Sequence, residues 1–202
     1  MIGLTAIAFV QATDVPDRYC EADPPFGQVE LRNTSYSGSE WIEIGIAFYP
    51  PMGETPAGPT LWGEVDYHPA ARNGDGVSER RRVSYTKALS SQQAGEVAGL
   101  FEAWQAKTVS TDETTSCAHC VTITVAACED GSVVERTVTY ASDTFDASVE
   151  LFEGTAAILQ NTFPDRTEGV AEVRGRALDR AARQKAVRAD RLKELGASQR
   201  AE

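Results

Sequence analysis

The residues best equipped for chemistry are Cys117-Ala-His-Cys120, with Cys128 eight positions on and Cys20 far upstream. Three thiolates and an imidazole are a donor set for tetrahedral zinc. A C-x-x-C can also be a redox pair, and four cysteines can close two disulfides. Spacing separates these possibilities. Val121–Ala127 alternates apolar with polar or small residues, the pattern of a strand. At ~3.3 Å per residue an extended run holds Cys120 and Cys128 about 25 Å apart, whereas a disulfide needs Cα atoms within about 7 Å. The expected pairs are therefore Cys117–Cys120 and Cys20–Cys128. The same distance removes Cys128 from a zinc set, and strand alternation turns His119 and Cys120 to opposite faces. A redox C-x-x-C sits at a helix N-terminus, where the dipole lowers the thiol pKa; this one precedes a strand. The four cysteines are read as structural, with no metal and no cofactor.

The remaining candidates are weaker. Asn73-Gly-Asp-Gly76 resembles part of a calcium loop, but Ala71 and Arg82 stand where the EF-hand pattern needs acids, which leaves a glycine turn. The two histidines are His68, before Pro69, and His119. Nucleophilic catalysis needs a base beside the nucleophile. No G-x-S-x-G, P-loop or dinucleotide fingerprint accompanies either histidine. Glu129 and Asp130 fall in a turn and read as solvated. Arg80-Arg81-Arg82 could receive a carboxylate or phosphate, but alternation splits it between two faces, so a salt-bridged strand is expected. No residue is assigned a catalytic role. The best local case for recognition is the segment Tyr49–Trp62. Pro50, Pro51, Pro56 and Pro59 exclude helix and central strand and lower the entropy lost on binding. Tyr49, Pro50, Pro51, Met52 and Trp62 form the candidate binding loop, the aromatics and Met52 as apolar anchors.

The elements around these residues follow from period and punctuation. Strands are expected at Gln28–Arg32, Trp41–Tyr49, Leu61–Tyr67, Arg80–Thr86, Val121–Ala127 and Val133–Tyr140, with Asp130-Gly131 as the tight turn of the last hairpin. Ser90 and Gln93 make a capping box, opening a helix whose Val97, Leu100, Phe101 and Trp104 form one apolar stripe. A second helix runs from about Asp146 to Thr162, with Val149, Phe152, Ala156 and Leu159 inward, and Pro164 beyond its end. Strands, helix, hairpin, helix with short connections predict an α+β domain: an antiparallel sheet with two helices packed on one face.

The chain has 202 residues and a net charge of −11. Residues 1–165 carry 24 acidic and 9 basic side chains, a formal −15, and residues 166–202 carry 6 acidic and 10 basic, a formal +4. An acidic body argues against nucleic acid or anionic lipid as its ligand. No apolar run approaches the ~20 residues needed to cross a bilayer. Three regions are expected. Residues 1–12 read as a signal peptide: an apolar run ends in Val10-Gln11-Ala12, although no Lys or Arg precedes it. Residues 13–165 form the α+β globular domain. Residues 166–202 form a basic, Ala/Arg-rich helical tail to about Leu195. Its thin apolar stripe fits a solvated helix, or one that docks on an acidic partner, the acidic body or a membrane surface. Paired cysteines and the signal-like start point to the periplasm or the extracellular space.

Arg80–Thr86, the Ser90–Trp104 helix, Val121-Thr-Ile-Thr-Val125 with the Asp130-Gly131 turn, Arg136-Thr-Val-Thr-Tyr140 and the Val149–Leu159 helix resemble emfourin-like domains. The likeness spans about residues 80–160 and lies in element order. It implies a small α+β inhibitor of thermolysin-like metalloproteases, and it carries no inhibitory residue over to this chain. The function expected is that of an exported, non-enzymatic protein-binding domain, a protease inhibitor or cell-envelope interaction protein. The alternative is a thiol-redox or metal-dependent envelope enzyme centred on Cys117, His119 and Cys120.

Overall fold

The computed structural model describes residues 17–33, 41–50, 59–68, 81–107, 120–162 and 168–198. Among the described residues a 3-10 turn, Asp17–Tyr19, precedes six strands and three helices. In chain order these are β1 Gly27–Asn33, β2 Trp41–Tyr49, β3 Thr60–His68, β4 Arg81–Ala88, α1 Ser91–Lys107, β5 Val121–Glu129, β6 Ser132–Thr139, α2 Phe145–Thr162 and α3 Glu168–Ser198. The strands form one antiparallel sheet in the order β4-β3-β2-β1-β5-β6. The α+β architecture read from the sequence is therefore present.

Four consecutive strands form a meander, and the chain returns through α1 to lay β5 beside β1. That return makes β1 central, and six of its seven residues are buried. The inward face carries Val29 and Leu31 of β1, Ile44, Ile46 and Phe48 of β2, Leu61 and Val65 of β3, Tyr85 of β4, and Val121, Ile123 and Val125 of β5. Apolar residues thus alternate along each strand toward the helices, while Gln28, Glu30, Trp62, Glu64 and Asp66 of the opposite face are buried as well.

The capping box at α1 is formed in both directions. Ser90 N–H donates to Gln93 Oε1 at 3.1 Å, and Gln93 N–H donates to Ser90 Oγ at 3.3 Å. Ala94, Val97, Phe101 and Trp104 are the buried stripe of α1, while Leu100 is half-buried against α2. Two close approaches seat the helices. An atom at the Cβ position of Gly27 would lie 2.7 Å from the Phe101 ring, and one at Gly63 would lie 2.8 Å from Leu159. The sheet thus has no side chain where these two helix residues touch it.

At the β5–β6 turn, Asp130 and Gly131 have φ of 49° and 82°. Asp and Gly tolerate this left-handed geometry, which matches the twist of a hairpin. From the sequence Glu129 reads as solvated; in the structure it instead forms an ion pair with Arg136, whose Nη2 lies 2.6 Å from Glu129 Oε2. The two residues are seven positions apart, on the two strands of one hairpin, and both side chains are about three-quarters buried there.

The third helix docks on the acidic body along one side. Ala181 is buried and Leu178 half-buried in the main core. The Lys185 ammonium lies 2.6 Å from Asp146 at the start of α2, and the Gln184 side chain accepts from the Val121 N–H at 3.4 Å. Among the described residues, no helix is long and apolar enough to cross a membrane.

Candidate functional site

Cys20 and Cys128 are disulfide-bonded, with Cα atoms 5.3 Å apart and a sequence separation of 108. The bond ties the segment before β1 to the end of β5. Around it lies a small second apolar cluster on the face of the sheet away from the helices: Phe26 and Ala126, with Tyr19, Tyr49 and Val133 against them. Phe26 and Tyr49 ring centres are 5.5 Å apart, and Tyr19 meets Tyr49 edge-on at 6.3 Å. Such pairs add to simple area burial. Burial raises the Tyr49 hydroxyl pKa, and nearby Tyr19 adds to the rise. Cys120 is also disulfide-bonded; its expected partner Cys117, and His119, lie outside the described residues.

The candidate binding loop divides between described and undescribed residues. Tyr49 is half-buried in the aromatic cluster, Pro50 is buried, and Trp62 is 4 % exposed on β3. Trp62 and Pro50 therefore offer little surface to a partner. Pro51 and Met52 lie outside the described residues, as do Asn73–Gly76 and the signal-like residues 1–12. Arg82 of the basic triplet pairs with Glu64, Nε to Oε1 at 2.5 Å, the salt-bridged strand anticipated for that run.

That pair opens onto a constellation that sequence reasoning did not find. Glu30 on β1 is opposite Gly45 on β2, and Gly45 is opposite Glu64 on β3. All three share the face away from the helices, so two carboxylates flank a position that has no side chain. Two strand spacings put their Cα atoms about 10 Å apart. Glu30 and Glu64 are 7 % and 5 % exposed. Arg32 sits 2.8 Å from Glu30 Oε1. Burial nevertheless pushes the Glu30 carboxyl up to about 7; Arg32 pulls it down, and Glu43 and Glu135 push it up further. Glu64 gives one oxygen to Arg82, while its Oε2 is buried without a hydrogen-bond partner. Asp66, also buried, lies two residues on along β3. Among the described residues, no three His, Cys, Asp or Glu side chains converge to hold a metal ion. This face thus carries the buried Glu30 carboxyl, pushed up to about 7, and two strands away the Arg82-paired Glu64, one of whose oxygens is buried without a hydrogen-bond partner. Its only sequence signal is the charged alternation of β1 and β3, and pairing these residues requires the strand order.

The other polar surface is on α3. Arg180, Arg183, Arg188 and Arg191 border a groove closed on its far side by Tyr140. Arg183, Arg188 and Arg191 are exposed and Arg180 is half-buried. Val187, at 69 % exposure, lies between them.

No family model matches the chain, and neither the curated proteins nor the solved structures contain a match.

Proposed function

We propose that this chain is an exported, non-enzymatic α+β domain that binds another protein. The observation that carries the binding half is the arginine face of α3: the helix is docked by Ala181, Gln184 and Lys185, and its charged side remains turned to solvent. A helix needed only to complete the core does not require three exposed arginines and a half-buried fourth at that position, and held side chains recognise at lower entropic cost than a free tail. The Cys20–Cys128 disulfide supports the exported half, because such bonds persist in oxidising compartments.

Inhibition of a secreted thermolysin-like protease is the narrower form of this reading, supported by the layout of residues 80–160. Titration of such a protease with the purified chain tests it; full activity at micromolar chain removes the narrower form. The broader reading is tested by crosslinking capture from the secreted or envelope fraction, comparing the chain with and without residues 166–202. A partner held by the first and lost by the second is expected. Equal capture by both overturns the role of α3.

The enzyme alternative centred on Cys117, His119 and Cys120 has two observations against it. A disulfide-bonded Cys120 offers no thiolate to a metal, and Cys120 leads into β5 rather than a helix N-terminus.

A further inference from the structure

We infer that the α3 groove is a docking site for an extended acidic segment of a partner protein, an inference that rests on the protein-binding reading above and names the partner's chemistry. At 100° per residue, Arg180, Gln184, Val187 and Arg191 fall within about 60° of one another around the helix, with Arg183 and Arg188 on either flank. The bonds from Gln184 to Val121 and from Lys185 to Asp146 fix the rotation of α3, so this face opens beside Tyr140 instead of sweeping freely. The result is a preformed groove of about 430 Å³. None of the four arginines forms an ion pair or hydrogen bond among the described residues. Arginine presents a planar fork that takes a carboxylate with two parallel hydrogen bonds.

Size and surroundings select the occupant. Arg180 to Arg191 spans about 16 Å along the helix axis, the length of about five extended residues. Alternate side chains of such a segment face one way, so two or three carboxylates can meet the arginines. Val187 and Tyr140 supply apolar surface for a side chain between them. A lipid surface fits less well: among the described residues, Val187 and Leu192 are the exposed large apolar side chains of the helix, and five positions set them about 140° apart, so these two cannot enter one membrane together. A long polyphosphate is opposed by the formal −15 of residues 1–165, whereas a short peptide brings only a few charges close to it.

The test uses the full chain and a fluorescent peptide alternating glutamate and leucine, with a glutamine–leucine peptide as its uncharged counterpart. Inorganic phosphate, a single-stranded oligonucleotide and phosphatidylglycerol vesicles are the competing probes. Saturable binding of the glutamate peptide is expected, with affinity falling at least about tenfold between roughly 50 and 500 mM salt as exposed charges are screened. The Arg188→Glu/Arg191→Glu chain should lose at least about tenfold in affinity. Both side chains are exposed, so its circular dichroism should match the parent. Equal binding by that variant, equal binding of the glutamine peptide, or tighter binding of oligonucleotide, phosphate or vesicles overturns the inference. So does absence of peptide binding; a partner still captured through residues 166–202 would then leave the broader reading standing and reject only the acidic segment.

Discussion

The indole N–H of Trp104 on α1 donates a 3.0 Å hydrogen bond to Ser148 Oγ on α2, inside the core and across 44 positions of sequence. Ser148 in turn donates to the Thr144 carbonyl at 3.1 Å. The Arg136 guanidinium lies 5.6 Å from the centre of the Trp104 ring, and one residue on, Gln105 donates to the Cys128 carbonyl at 2.8 Å. The last turn of α1 thus joins α2 to the β5–β6 hairpin. Ser148→Ala removes the acceptor while conserving most of the volume, so a loss of about 1 kcal/mol is expected. Denaturant melts followed by tryptophan fluorescence measure it, and unchanged stability would mean the bond contributes nothing net.

The Cys20–Cys128 bridge closes a loop of more than 100 residues. In the chain-entropy model, losing it from the unfolded state costs about 4–5 kcal/mol. The Cys20→Ser/Cys128→Ser variant should unfold at markedly lower urea, and the Tyr19–Phe26–Tyr49 cluster should loosen first because the bridge anchors it. Intact mass before and after alkylation counts the thiols. An alkylated Cys20 in the unreduced native chain contradicts the bond.

This bridge was legible in the sequence by elimination, since a strand cannot bring its own two ends together. The Ser90–Gln93 box and the Trp41–Tyr49 strand were legible for the same kind of reason: local period and capping chemistry lie within a few residues. What lay hidden depends on strand order. Apolar alternation says that β5 is a strand, and it does not say that β5 inserts beside β1. Hence nothing in the text pairs Glu30 with Glu64 across Gly45, or brings Tyr140 to Arg180. The burial of Ser148 inside α2 was equally hidden, because its partner Trp104 lies on another helix, 44 positions away; Thr155, also buried, is satisfied within α2 itself by the Leu151 and Phe152 carbonyls. The seat of α3 was hidden too, because it is made by Ala181, the half-buried Leu178, Gln184 and Lys185 instead of a leucine stripe.

Glycines on the sheet and on the helix should respond oppositely to alanine. At Gly63 the new methyl would meet Leu159 at 2.8 and 2.9 Å, and Leu159 is fully buried in the core. Overpacking of this kind costs typically about 1–3 kcal/mol. At Gly99, inside α1, nothing lies within 4 Å of the added carbon. Gly99→Ala should therefore stabilise by roughly 0.5–1 kcal/mol through helix propensity. Thermal melts of the two variants should move in opposite directions. Parallel shifts would show that the α2–sheet contact at Gly63 is looser than the structure has it.

Glu30 makes stability depend on pH in a sense opposite to the usual carboxylate. Its carboxyl titrates at 4.5 when unperturbed and at about 7 in the fold, where burial opposes ionisation more than Arg32 favours it. Between those values the folded chain holds a proton that the unfolded chain has released. Raising the pH through this window therefore favours unfolding. A shift of this size corresponds to a loss on the order of 3 kcal/mol from this group, complete above pH about 7. Glu30→Gln keeps the shape and has no proton to lose. Its stability should be nearly flat where the parent declines, so the variant should be the more stable chain at pH 8 and the difference should shrink on acidification toward 4.5. Urea melts across that range decide the matter: a Glu30→Gln profile that falls in parallel with the parent would assign the pH dependence to other groups.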